Sequence, residues 1–106
     1  MYRIQDTSGP VRVVRTAWFA SWLRGLRDSR AVAAIIVRIR RLEMGLSGDW
    51  KPLGGSLREL RIDVGPGYRV YLATINHSTV VLLGGGSKST QARDIARARA
   101  TLRSIT

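Results

Sequence analysis

The chain has 106 residues, enough for one domain with a modest core and too few for two. Eighteen Lys and Arg against seven Asp and Glu give a formal charge of +11, and sixteen of the eighteen cations are arginines, Lys51 and Lys88 being the two lysines. The lack of cysteine excludes disulfides and Cys-based zinc sites, one histidine without an acidic cluster argues against any metal, and no apolar run is long enough to cross a membrane. Arginine presents a planar fork of donors suited to phosphate and nucleobase contacts, which puts nucleic acid first among partners. A GC-rich coding sequence with a solvated surface accounts for the same composition, and an acidic protein partner would also neutralise the charge. The polar opening MYRIQDTSGP lacks the apolar core of a signal peptide, so the expected location is cytoplasmic.

In chain order, residues 1–10 read as a flexible arm ending at Ser8-Gly9-Pro10, and residues 11–106 as one domain. A short strand is expected from Val11 to Arg15, with Thr16 as a helix cap. From Ala17 to Arg27, Trp18, Phe19, Trp22, Leu23 and Leu26 recur at helical spacing, a stripe more suited to a core than to base stacking. Asp28 or Ser29 caps a longer helix through about Met44, with Val32, Ile35, Ile36, Ile39 and Leu42 facing inward and Gly45 as its stop, so the two helices form an antiparallel hairpin. Residues 46–56, LSGDWKPLGGS, read as a loop carrying Lys51. Strands are expected at 57–64, 68–75 and 79–84, the last apolar on both faces, and a glycine-rich bend then leads to a terminal helix capped by Ser89 or Thr90, with Ile95, Ala98, Leu102 and Ile105 on one stripe. The order β-α-α-β-β-β-α defines an α+β domain, its helical hairpin packed on a largely antiparallel four-stranded sheet.

The segment Glu59 to Arg69, ELRIDVGPGYR, holds the main functional signal. Strand alternation puts Leu60, Ile62 and Val64 on one face and Glu59, Arg61 and Asp63 on the other. The Gly65-Pro66-Gly67 turn then sets Val70 and Leu72 against Arg69 and Tyr71. If the apolar faces share a core, Arg61, Arg69 and Tyr71 project together from the opposite side as a cationic platform with an aromatic ring, suited to a polyanion with stackable bases. Arg38, Arg40 and Arg41, like Arg93, Arg97, Arg99 and Arg103, form helix faces that are either solvated or phosphate-contacting, with Arg38, Arg41, Arg93 and Arg97 as candidate RNA-binding residues. GGGSKST lacks the glycine spacing of a P-loop, which argues against nucleotide hydrolysis, and His77 falls in a turn remote from the platform.

Three stretches, FASWLRGLRD (19–28), GDWKPLGGSLRELRIDVGPGYRVYL (48–72) and LLGGGSKSTQARDIARA (82–98), together resemble the addiction-module killer proteins, the HigB-like branch of the RelE/ParE toxin superfamily. The resemblance implies a RelE-like domain that binds the ribosomal A site and cuts mRNA, inhibiting translation. Its implied partner is a cognate antitoxin, acidic and of the helix-turn-helix type. By position, Arg69 matches the cation that contacts the scissile phosphate, Arg61 a second basic position, and Lys88 a basic position after the last strand. Lys51 has the local GDWKPL pattern behind it.

Cleavage of RNA by its own 2′-hydroxyl needs a base for that hydroxyl, charge stabilisation at phosphorus and a proton for the leaving oxygen. Arg61 and Arg69 meet the second need. Lys51, Lys88, Tyr68 or Tyr71 would meet the others if neighbouring cations lowered their pKa values. No cofactor or metal is called for. The ParE-like alternative, a DNA gyrase inhibitor, and a non-catalytic nucleic-acid-binding module both stay open.

Overall fold

Cβ alternation gives the two central hairpin strands two useful faces, and helices cover both of them. The computed structural model describes residues 11–46 and 48–106, and the predicted arm at 1–10 lies outside them. The elements are β1 (Arg12–Arg15), α1 (Ala17–Gly25), α2 (Ser29–Glu43), β2 (Trp50–Gly54), β3 (Leu57–Ile62), β4 (Tyr68–Asn76), β5 (Thr79–Ser87), a 3-10 turn at Lys88–Thr90, and α3 (Gln91–Ile105). The sheet runs β1-β5-β4-β3-β2, antiparallel except where β1 lies parallel to β5.

Local chemistry sets most boundaries. Thr16 Oγ1 accepts from the Phe19 amide at 3.1 Å and donates to the Leu83 carbonyl at 2.6 Å, so the cap of α1 also ties it to β5. Asp28 Oδ1 accepts from the Arg30 and Ala31 amides, starting α2. Gly45, at φ 84°, lets the chain leave α2, and Gly65 and Gly67, at φ 57° and 87°, let β3 turn into β4.

Among the described residues there are five strands where four were expected. The additional strand, β2, lies inside the predicted loop 46–56 and pairs Trp50 with Leu60 and Lys51 with Glu59. Pro52 and the two glycines after it carry a loop signature, yet an edge strand tolerates proline because only one side of it is paired, and a register shift between Pro52 and Gly54 absorbs the irregularity. The terminal strand is also longer than expected, since Gly85, Gly86 and Ser87 continue β5 past Gly84. The β1 pairing stops at Leu82, and α1 packs against the rest of β5. A Cβ at Gly84 would overlap the Trp18 ring, one at Gly85 the Trp22 ring, and one at Gly86 the Asp94 carboxylate. The glycines are there for close approach, not for bending.

Two cores flank the sheet. Phe19, Ile35, Ile39 and Leu42 from α1 and α2 bury Leu60, Ile62, Val70, Leu72, Val80 and Leu82. On the reverse face Ala98 of α3, with Ile95 and Leu102 partly buried, packs on Leu57, Tyr71, Ala73, Val81 and Leu83, while Ile105 runs past the sheet and is exposed. Each large side chain taken from water in this way contributes about 1.5–3 kcal/mol. This second core corrects the open platform: Tyr71 is 0% exposed and Arg69 7%, because α3 covers the face on which they stand.

Candidate nucleic-acid interface

The register of β2, β3 and β4 builds a basic corner beside the start of α3. Lys51 stands opposite Glu59 and Glu59 opposite Tyr71; two residues nearer the turn, Arg61 stands opposite Arg69 and Arg69 opposite Gly86. Directly opposed side chains have Cβ atoms about 4.5–5.5 Å apart, so these residues are neighbours on one face. Lys88 joins from β5: its amide donates to the Gly67 carbonyl at 3.3 Å, which holds the 3-10 turn against the β3–β4 turn. Arg69 Nη1 lies 3.8 Å from where a Gly67 side chain would start, so its guanidinium reaches the same place.

Glu59 organises the corner and was not among the predicted site residues. It is 0% exposed, and its Oε2 lies 3.5 Å from Arg61 Nε and 3.8 Å from Arg69 Nε. Its Oε1 accepts from Gln91 Nε2 at 2.7 Å, which fixes the first residue of α3 over the sheet. One carboxylate thus serves two arginines while Lys51 and Lys88 remain exposed, and the corner stays net positive. The N-terminal end of α3 adds its partial positive charge. The sequence signal for Glu59 was an acid two residues from Arg61 on a strand whose neighbours are buried.

The predicted site residues therefore fall into groups. Lys51, Arg61, Arg69 and Lys88 follow one another from β2 across β3 and β4 to the 3-10 turn, with Arg61, Lys51 and Lys88 open to solvent and Arg69 mostly buried. Tyr71 lies beneath α3; its hydroxyl finds no hydrogen-bond partner among the described residues. Burial, with Glu59 and Asp94 nearby, pushes the Tyr71 phenol well above the usual tyrosine range, against the smaller pull of Arg69. Tyr68 is also raised, first by desolvation and then by Asp28, whose Oδ2 accepts from its hydroxyl at 3.4 Å. Neither phenol has the lowered pKa that a tyrosine base would need.

The predicted RNA-binding arginines divide between the two faces. Arg38 donates to the carbonyls of Arg61 at 3.0 Å and Asp49 at 3.1 Å, stapling α2 to β3 and the loop before β2. Those bonds give it a structural task. Arg41 is exposed on the same helix, whereas Arg93 and Arg97 are exposed on α3, on the side of the basic corner. Among the described residues, no group of three His, Cys, Asp or Glu side chains is placed to hold a metal ion, and no helix is long and apolar enough to cross a membrane.

The protein superposes on a chain of the RelBE2 toxin-antitoxin complex from Mycobacterium tuberculosis with a TM-score of 0.61 at 23% identity, covering 78% of this chain and 97% of that one. The likeness establishes a shared fold. The chain belongs to one family with an uncharacterised protein of Haemophilus influenzae, to which it is 48% identical over 89 residues, 84% of this chain and 90% of its relative. No family model matches the chain.

Proposed function

We propose that the protein is the toxin of a type II toxin-antitoxin system, of the HigB-like branch, and acts in the cytoplasm as a ribosome-dependent mRNA endoribonuclease that inhibits translation. The row of cations that runs from Lys51 through the opposed Arg61 and Arg69 to Lys88 beside the β3–β4 turn carries this reading. Phosphate bound there would meet guanidinium groups already held by Glu59, which need no reorganisation as charge grows on the phosphorus. The exposed lysines, Lys51 and Lys88, are the side chains available for proton transfer, while Tyr71 supports the corner from below. The ribosome would supply the alignment of the 2′-hydroxyl, an effect worth several kcal/mol.

The fold neighbour comes from a toxin-antitoxin complex, which supports a cognate antitoxin as partner. A formal charge of +11 favours an acidic one, with association slowing as salt screens long-range steering. The test is expression with and without the neighbouring gene, followed by mapping of mRNA 5′ ends. Growth arrest with new mRNA ends, relieved by the neighbour, is the expected result. DNA breaks linked to gyrase would identify the ParE-like activity instead.

A further inference from the structure

A second recess opens beside the basic corner, between α1 and the start of α3. Its volume is about 380 Å³, within the usual range of small-ligand sites, and Trp18, Trp22 and Tyr68 line it above a floor of Gly85 and Gly86. Arg97 lies 4.2 Å from the centroid of the Trp18 ring and covers that face, so here the planar cation, held by the ring beneath it, bounds the space. Bases stack on guanidinium planes as they do on aromatic rings.

Asp94 is the carboxylate that lines the recess. The residue is 6% exposed, and its Oδ2 accepts from the Thr90 hydroxyl at 2.5 Å. Its Oδ1 faces Arg93 Nε at 3.9 Å, and the Arg93 side chain is 79% exposed and free to swing outward. A carboxylate only accepts hydrogen bonds, so it favours a base that offers adjacent donors. Guanine presents N1–H and the 2-amino group side by side. Adenine and cytosine place an acceptor next to their single amino donor, and uracil flanks its one N–H with two carbonyls.

We propose that this recess binds a guanine base of the RNA strand, next to the phosphate held at the basic corner. The proposal rests on the RNA-cleaving reading and specifies its base preference. The two places are continuous: Gly86, on the floor of the recess, pairs with Arg69, and Ser87 lines both the recess and the hollow formed with Pro66, Lys88 and Ser89. A strand with its phosphate at Arg69 and Lys88 therefore has a neighbouring base within reach of Asp94.

The test is titration of the purified protein with GMP, AMP, CMP, UMP and IMP, followed by NMR of the three tryptophan indole N–H signals. GMP is expected to shift the Trp18 and Trp22 signals but not that of Trp50, and to bind about tenfold or more tightly than AMP, CMP or UMP, the discrimination expected of a bidentate base contact. IMP, lacking the 2-amino group, falls between them, and Asp94→Asn removes the preference. Equal affinity for all the nucleotides, or binding that leaves the Trp18 and Trp22 signals unmoved, overturns the proposal. The GMP and IMP comparison on the unaltered protein decides the matter if Asp94→Asn does not fold. Guanine preference without ribosome-dependent cleavage would uphold this site and defeat the nuclease reading; cleavage without guanine preference would do the reverse.

Discussion

Glu59 and Arg69 form an ion pair beneath the first turn of α3, with Nε 3.8 Å from Oε2 and both side chains almost wholly out of water. A buried pair of this kind gives little net stability, but removing one partner strands the other charge. Glu59→Ala is therefore expected to destabilise the protein by about 3–5 kcal/mol. Glu59→Gln keeps an acceptor for Gln91 and should cost less. Urea denaturation of both variants checks this, and an unchanged midpoint for Glu59→Ala would show that the carboxylate does not hold the corner.

Tyr71 allows a test with the opposite sign. Its hydroxyl is buried without a hydrogen-bond partner among the described residues, so Tyr71→Phe should change stability by less than about 1 kcal/mol and leave toxicity intact. The raised phenol also predicts a pH effect. In the unfolded chain tyrosine loses its proton near pH 10, while in the folded protein it keeps the proton to higher pH. Stability from this residue is thus fully present below about pH 10 and falls as the pH rises beyond it. The slope should be shallower in Tyr71→Phe, as thermal melts at pH 9 and above would show; identical slopes would remove Tyr71 from the balance.

Packing of α1 on β5 depends on side chains that are not there. Gly84→Ala would force a methyl group into the Trp18 ring and is expected to cost about 1–3 kcal/mol. Gly25, at the end of α1, has nothing within 4 Å of a Cβ position and serves as the control. Gly25→Ala should be neutral or slightly stabilising. A Gly84→Ala protein as stable as its parent would mean that the tryptophan can move aside.

The helices and the β3–β4 hairpin were legible because their signals are local. Thr16 and Asp28 cap where capping chemistry places them, and the Gly-Pro-Gly turn falls between alternating strands. The second covered face was less legible, since alternation says that Arg61, Arg69 and Tyr71 share a side but not what lies above it. The stripe Ile95, Ala98 and Leu102 contained that information, as a helix with an apolar side must bury it somewhere. β2 was hidden by Pro52 and its glycines, and Glu59 by its charge, which suggested solvent where the fold supplies two arginines and a glutamine.

Ribosome-dependent RNA cleavage at the basic corner is most directly tested by comparing initial rates on one mRNA, free and in a programmed ribosome complex, for the unaltered protein and Arg61→Ala. Arg61 is the cleaner probe because its side chain is exposed whereas that of Arg69 is buried, and in either variant Glu59 keeps the other arginine. The expected result is efficient cutting only on the ribosome, reduced about a hundred- to a thousand-fold in Arg61→Ala, the usual cost of losing a preorganised transition-state contact. Equal rates with and without ribosomes, or no cleavage in either, would contradict the account.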